Sequence, residues 1–232
     1  MKIDFNPSPH IVEHLTRLYR HLGPACWILA IQFFMVQIAT ALTYKSAYSW
    51  GRDPISYLGI TQCSVFGGSY VCSPMHALFN FSLIALGVVT ATGAFFLYHQ
   101  CHRSYGTLAG FSVIALASIG TVLVGIFPAN TLYIIHNLGA GLALAGGLVG
   151  MFILSVSLHR LPRQLRYVMM GCSAISLLGL VLLAIVFPLG LGFIGTAERV
   201  ASYPGVLGVI VFGAYRLARH LAEHQSWQHT RK

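Results

Sequence analysis

The sequence predicts an all-α, polytopic integral membrane protein with six transmembrane helices and both termini on the inner side. Three observations carry this. Only 8% of the 232 residues are charged and 56% are hydrophobic, whereas a soluble domain carries about 25% charged residues. Six apolar runs are each long enough to cross a hydrocarbon core that needs about 20 helical residues. Lys and Arg are segregated between the connecting segments, eleven on one side and three (Lys45, Arg52, Arg199) on the other. An excess of that kind places the basic side inward.

Residues 1–21 are polar and repeat Ile11, Leu15, Leu18 and Leu22 at helical spacing, with His14, Arg17 and Arg20 on the opposite face. This fits an amphipathic cytoplasmic segment on the membrane surface, or a solvated lead-in to the first span. The six spans follow at about 22–44, 74–98, 107–127, 135–157, 167–188 and 203–220. The transmembrane domain runs over 22–221, and a cytoplasmic tail fills 222–232. The first run is too long for a signal-peptide core and follows a long polar lead, so it reads as a retained span. In lipid each run must satisfy its own backbone, which makes helices of all six.

The longest connection, 45–73, falls on the outer side. Its aromatic residues (Tyr48, Trp50, Tyr57, Tyr70) suit an interfacial belt. It also holds Cys63 and Cys72, which read as a disulfide in an oxidising compartment. The inner connections at 99–106 and 158–166 are short and basic. Small residues at Gly141, Ala145, Gly146 and Gly150 form rows on the fourth span, with a similar row at Ala117, Thr121 and Gly125 on the third. Such rows drive close packing, here of a third–fourth hairpin, and leave open a homo-oligomer built on the same faces.

The net charge of +9 does not indicate nucleic acid. There is no zinc-finger spacing and no basic helix interleaved with base-stacking aromatics. The expected partner is membrane lipid, and the expected location is the inner membrane of a prokaryote.

Polar residues of the spans concentrate at the outer ends. His76 and Asn80 share one face of the second span, and Ser73 precedes Pro74 at its start, where a serine commonly caps a helix. Asn130, Thr131, His136 and Asn137 occupy a polar notch after Pro128. Glu198, Arg199, Ser202 and Tyr203 lead into the sixth span, and Asp53 lies in the long loop. Four readings stay open. A divalent metal held by His76, His136 and Glu198 or Asp53 would activate water on a lipid. A headgroup pocket would use Arg199 for a phosphate, with Asn80, Asn137, Thr131 and Tyr203 as hydrogen-bonding groups. A mutually satisfied polar cluster would tie the helices together. Bis-histidine haem ligation by His76 and His136 is the fourth. A Ser73–His76–Asp53 hydrolase arrangement competes with the capping role of Ser73.

The strings Asp53-Pro54-Ile55-Ser56-Tyr57-Leu58-Gly59, Cys72-Ser73-Pro74-Met75-His76 through Asn80, Gly125-Ile126-Phe127-Pro128, His136-Asn137-Leu138-Gly139-Ala140 and Glu198-Arg199 through Pro204 together resemble prokaryotic membrane proteins grouped as domain of unknown function 998. The resemblance covers about 22–220. A more distant likeness, carried by Ile55, Ser56, Gly59, His136, Gly139 and Ala140, is to the six-span damage-regulated autophagy modulators and the factors that remodel GPI-anchor lipids. It implies a lipid-facing role and supplies no mechanism. Alkaline ceramidases differ, because this chain has no histidine in its last two spans before His220. The sequence therefore points to recognition or processing of a lipid or lipid-linked headgroup, with a non-catalytic scaffold or sensor and a metal-dependent lipid hydrolase as its rivals.

Overall fold

The computed structural model describes the backbone of residues 9–229 and the side chains of 19–223. Of the proposed surface segment at 1–21, residues 9–21 form the first part of α1, and of the tail at 222–232, residues 222–229 continue α7; 1–8 and 230–232 lie outside the described residues. The order is α1 (Pro9–Leu29), α2 (Gln32–Leu42), a 3₁₀ turn (Ile55–Gly59), the two-stranded hairpin β1 (Ser64–Phe66) and β2 (Ser69–Val71), then α3 (His76–Gln100), α4 (Tyr105–Ile126), α5 (Tyr133–Ser157), α6 (Arg163–Val186) and α7 (Ile194–His229). Six helices are long and apolar enough to cross a membrane, the first being the α1–α2 stretch Tyr19–Leu42.

The spans form a closed ring. Each helix from α3 to α7 packs on its neighbour in sequence, and α1 lies against both α3 and α7. Glycines set the closest approaches. A Cβ on Gly146 would lie 2.9 Å from Ala117 Cβ, and one on Gly139 would lie 2.9 Å from the Gly120 carbonyl. The α4–α5 hairpin is thus backbone-to-backbone, as small residues permit in lipid. The rows differ in membership from those read in the sequence. Gly141 faces open space, and Gly125 packs on α3 at Asn80 and Ile84. Gly139, one helical turn before Ala143, takes the place expected of Gly141.

Two departures have physical causes. The first span is not one helix. Around Ala30 and Ile31 the bonding tightens to i→i+3, with Phe33 N–H donating to Ala30 O. Across this break Gln32 and Ser82 exchange hydrogen bonds, Gln32 Nε2 to Ser82 O at 3.0 Å and Ser82 Oγ to Gln32 Oε1 at 2.7 Å. The last span begins at Ile194, nine residues before the expected start, and carries Pro204 inside it. Proline removes one backbone bond, a loss that neighbouring helices let a membrane helix absorb. Glu198 and Arg199 are therefore helical residues within the bundle.

The ring has two ends. The loop end gathers residues 43–75, 127–132 and 187–193. The basic end gathers 101–104, 158–162 and the C-terminal turns of α7.

Candidate functional site

The long loop is folded, and the polar residues of the loop end hold it down. Arg199 is the principal tie. It is 8% exposed. Its Nη1 donates to the carbonyls of Trp50 (2.7 Å), Asp53 (3.0 Å) and Gly195 (2.8 Å), and its Nη2 donates to the Tyr48 hydroxyl. The guanidinium also lies 5.0 Å from the Trp50 ring centre and 5.5 Å from that of Tyr48. Carbonyl dipoles and ring faces replace the water that a buried cation loses. In this geometry both terminal nitrogens of Arg199 are engaged by neutral acceptors of the loop and of its own helix, while its buried Nε has no partner.

The 3₁₀ turn is pinned from four directions. Ser73 Oγ donates to Leu58 O at 2.7 Å, and Asn80 Nδ2 donates to Gly59 O at 2.9 Å. Tyr48 Oη donates to Pro54 O at 3.0 Å. From below, Glu198 Oε2 accepts the Ile55 N–H at 2.5 Å, and the carboxylate engages the Ser56 backbone as well. A further tie runs sideways, where Asn130 Oδ1 accepts from Thr61 N–H and Asn130 Nδ2 donates to Thr61 Oγ1. A Cys63–Cys72 disulfide closes the hairpin segment beside it. Burial pushes the Tyr44, Tyr48 and Tyr57 phenols above their ordinary range. Asp53 adds to the shift of Tyr44 and Tyr57, while Arg199 opposes that of Tyr48.

The remaining expected site residues separate. Ser73 does not cap α3: the helix starts at His76, with Met75 in the cap position and no side-chain bond there. His76 Nδ1 lies 2.9 Å from Ser73 O, a contact within its own turn. Asp53 Oδ2 accepts from Ser49 N–H at 2.7 Å and closes a local turn. The Ser73–His76–Asp53 arrangement is therefore not assembled. Tyr203 Oη accepts from the buried Gln37 Nε2 at 2.6 Å and packs edge-on against Phe34. Thr131 Oγ1 donates to Pro128 O, and Thr131 and Asn137 are both exposed. Among the described residues no group of three or more His, Cys, Asp and Glu lies close enough to hold a metal ion. His76 turns to the carbonyl of Ser73 and Asp53 to the Ser49 N–H, so neither joins His136 and Glu198.

His136 and Glu198 are brought together, on the wall of one internal chamber. This chamber of about 160 Å³ runs down the ring between α3, α4, α5 and α7, and the 3₁₀ turn roofs it through Ile55 and Ser56. Its loop end is polar, with His136, Glu198, Ser56 and Ser202. Its body is mostly apolar, with Phe33, Phe79, Leu83, Ile114, Val124 and Leu144, interrupted by the hydroxyls of Thr90, Ser118, Thr121 and Ser176. His136 is buried, its Nδ1 bonded to Phe127 O at 2.9 Å. That carbonyl is the C-terminal end of α4, so the notch after Pro128 exists to orient this ring. Glu198 is the one formally charged residue among those lining the chamber. A carboxylate offers about four acceptor positions, so the roof contacts leave it capacity to accept more.

The chamber is open space. A Cβ on Gly147 would meet nothing within 4 Å, and one on Gly205 would meet only Ser176 Oγ at 4.0 Å. Ser176 and Ser202 each bury a hydroxyl with no hydrogen-bond partner. Buried hydroxyls in native proteins are usually satisfied, so two orphans on one wall mark a place for a polar group. Sequence reading gave no site role to Ser56 or Ser176, and placed Ser202 in the outer polar cluster without assigning it a contact. Ser56 and Ser202 stand inside the motif strings already singled out, while Ser176 has no distinguishing signal in its run.

A family model described as "Protein of unknown function (DUF998)" matches residues 28–215. The chain belongs to that family. The match runs from the last residues of α1 through α2 to α6 and on to Tyr215 in α7. Comparison with curated proteins and with solved structures gives no match.

Proposed function

For this DUF998 member we propose that the chamber binds an amphipathic molecule, a lipid or lipid-linked compound. Its polar group would lie against Glu198, His136, Ser56 and Ser202, and its hydrocarbon would run between α3, α4, α5 and α7. The observation that carries this is the lining of the chamber, with Glu198, His136, Ser56 and Ser202 at the loop end and a mostly apolar wall below, where the Ser118 and Thr121 hydroxyls are bonded to their own helix. With Glu198 present and no Arg or Lys on its wall, the chamber favours a hydrogen-bond donor such as a hydroxyl, amine or amide over a phosphate. The eleven-to-three distribution of Lys and Arg supports an orientation with the loop end outside. In that orientation the polar group is taken from the outer leaflet, under the folded loop.

The test is binding of a fluorescent single-chain lipid bearing a hydroxyl or amine headgroup to the purified protein. Loss of a charge-assisted hydrogen bond in Glu198→Gln should weaken an amine ligand by about tenfold or more. A hydroxyl ligand should weaken less. Equal binding by wild type and variant for both ligands would contradict the reading.

A second reading rests on the tie residues. Ser73, Asn80, Asn130 and Arg199 all spend their hydrogen bonds on the loop, which supports a scaffold whose folded loop is the functional surface. It predicts an empty chamber.

A further inference from the structure

The basic end holds a second concavity, about 500 Å³, unrelated to the chamber. It is lined by the end of the α1 lead-in (Tyr19, Arg20), by the α3–α4 and α5–α6 connections, and by α7 from Arg216 to Glu223. Among the described residues four arginines (Arg20, Arg160, Arg216, Arg219) and four histidines line it against one carboxylate, Glu223. Four guanidiniums less one carboxylate leave three positive charges in one basin. Glu223 is already engaged, with Arg219 Nε to Glu223 Oε1 at 3.0 Å.

Arg216 shows what the basin lacks. Its Nη2 donates to Gln100 O at 3.2 Å and lies 3.3 Å from His220 Nε2. Its Nε is buried with no partner. An inward-facing bias of basic residues accounts for their number. It does not account for their convergence from three chain segments into one hollow, nor for an orphaned guanidinium N–H beneath it. Converging cations repel, and the half-buried Arg216 gives up hydration at its Nε as well, costs that an anion in the hollow reduces. The planar fork of arginine suits phosphate oxygens in particular.

We propose that this basin binds a phosphate-bearing anion. The source is either an anionic lipid headgroup at the membrane surface or a soluble phosphate compound, since both present the same oxygens to the same arginines. The volume exceeds the need of a simple halide and falls within the usual size of small-ligand sites.

The test uses the purified full chain and two double variants of equal charge. Arg20→Gln/Arg160→Gln removes two exposed arginines of the basin. Lys45→Gln/Arg52→Gln removes two exposed cations of the loop end. One arm titrates inorganic pyrophosphate at constant ionic strength against chloride. The other measures retention of phosphatidylglycerol against phosphatidylcholine by native mass spectrometry. The proposal expects at least one of the two anions to bind preferentially, with affinity falling about tenfold or more in the basin variant and unchanged in the loop-end variant. Pyrophosphate binding identifies a soluble source, and phosphatidylglycerol retention a lipid one. Absence of preference in both arms, an unaffected basin variant, or equal weakening in both variants would overturn it.

Discussion

Replacing Arg199 with Met keeps much of the side chain's length and removes the guanidinium donors that hold the 48–53 part of the long loop. The Trp50 carbonyl then loses its partner, and the Asp53 carbonyl and Tyr48 hydroxyl each lose one of theirs. A hydrogen bond to a charged group is worth about 1.5–3 kcal/mol, and a cation–π contact with Trp adds about 0.5–2 kcal/mol. The contributions do not sum, because removing Arg199 also relieves the cost of burying a cation. A net loss of about 3 kcal/mol follows, toward the low end of what breaking a buried charged network costs. At about 2–4 °C per kcal/mol for a chain of this length, the midpoint should fall by about 6–12 °C. The assay is thermal unfolding in detergent, together with limited proteolysis of the loop. Arg199→Lys should fall between wild type and Arg199→Met, since one ammonium cannot span the same acceptors. An unchanged midpoint in Arg199→Met, with the loop no more open to protease, would refute the view that Arg199 is the tie.

Three further outcomes follow from the packing and the loop. Gly146→Ala and Gly147→Ala stand one residue apart and should behave oppositely: the first forces a Cβ to 2.9 Å from Ala117 Cβ and costs about 1–3 kcal/mol, while the second enters open space and leaves stability unchanged or higher, both read by thermal unfolding. Cys63→Ser/Cys72→Ser opens a bridge with a sequence separation of 9 and should lose about 2–3 kcal/mol on the loop-closure argument, with the intact bridge checked by mass shift on reduction. Tyr44, Tyr48 and Tyr57 should ionise later than free tyrosine in ultraviolet difference titration; since an unfolded chain ionises them from about pH 10, stability is unaffected below that pH and falls as pH rises above it.

The architecture was legible because lipid leaves a chain few choices. Length and apolarity name a span, and backbone satisfaction makes it a helix. The α4–α5 hairpin was legible from its small residues. The position of α7 was not. Tyr203-Pro204 reads as a helix start, and Glu198-Arg199 reads as a polar lead-in. Both readings assume that charged residues avoid the bundle. The loop overturns that assumption by folding back and supplying carbonyls and ring faces to Arg199 and backbone N–H groups to Glu198. Those acceptors and donors come from about 145 residues away in sequence, so no local pattern announces them. His136 was singled out from its neighbours in the notch and does line the chamber. His76 looked equivalent by depth and residue type, yet its ring turns to the carbonyl three residues back. Depth along a helix was readable, but the direction of a side chain around it depended on the tertiary partner.

An amphipathic molecule seated beneath the 3₁₀ turn, as proposed above, should stay with the protein through gentle solubilisation. The most direct measurement is native mass spectrometry of the gently solubilised protein beside Gly147→Leu and Gly141→Leu. Both glycines have open space around them on α5, but only Gly147 lines the chamber. The account predicts a bound lipid-sized mass in wild type and in Gly141→Leu that Gly147→Leu loses while remaining folded. A bare chain mass in all three proteins, or a bound mass that Gly147→Leu retains, would contradict it.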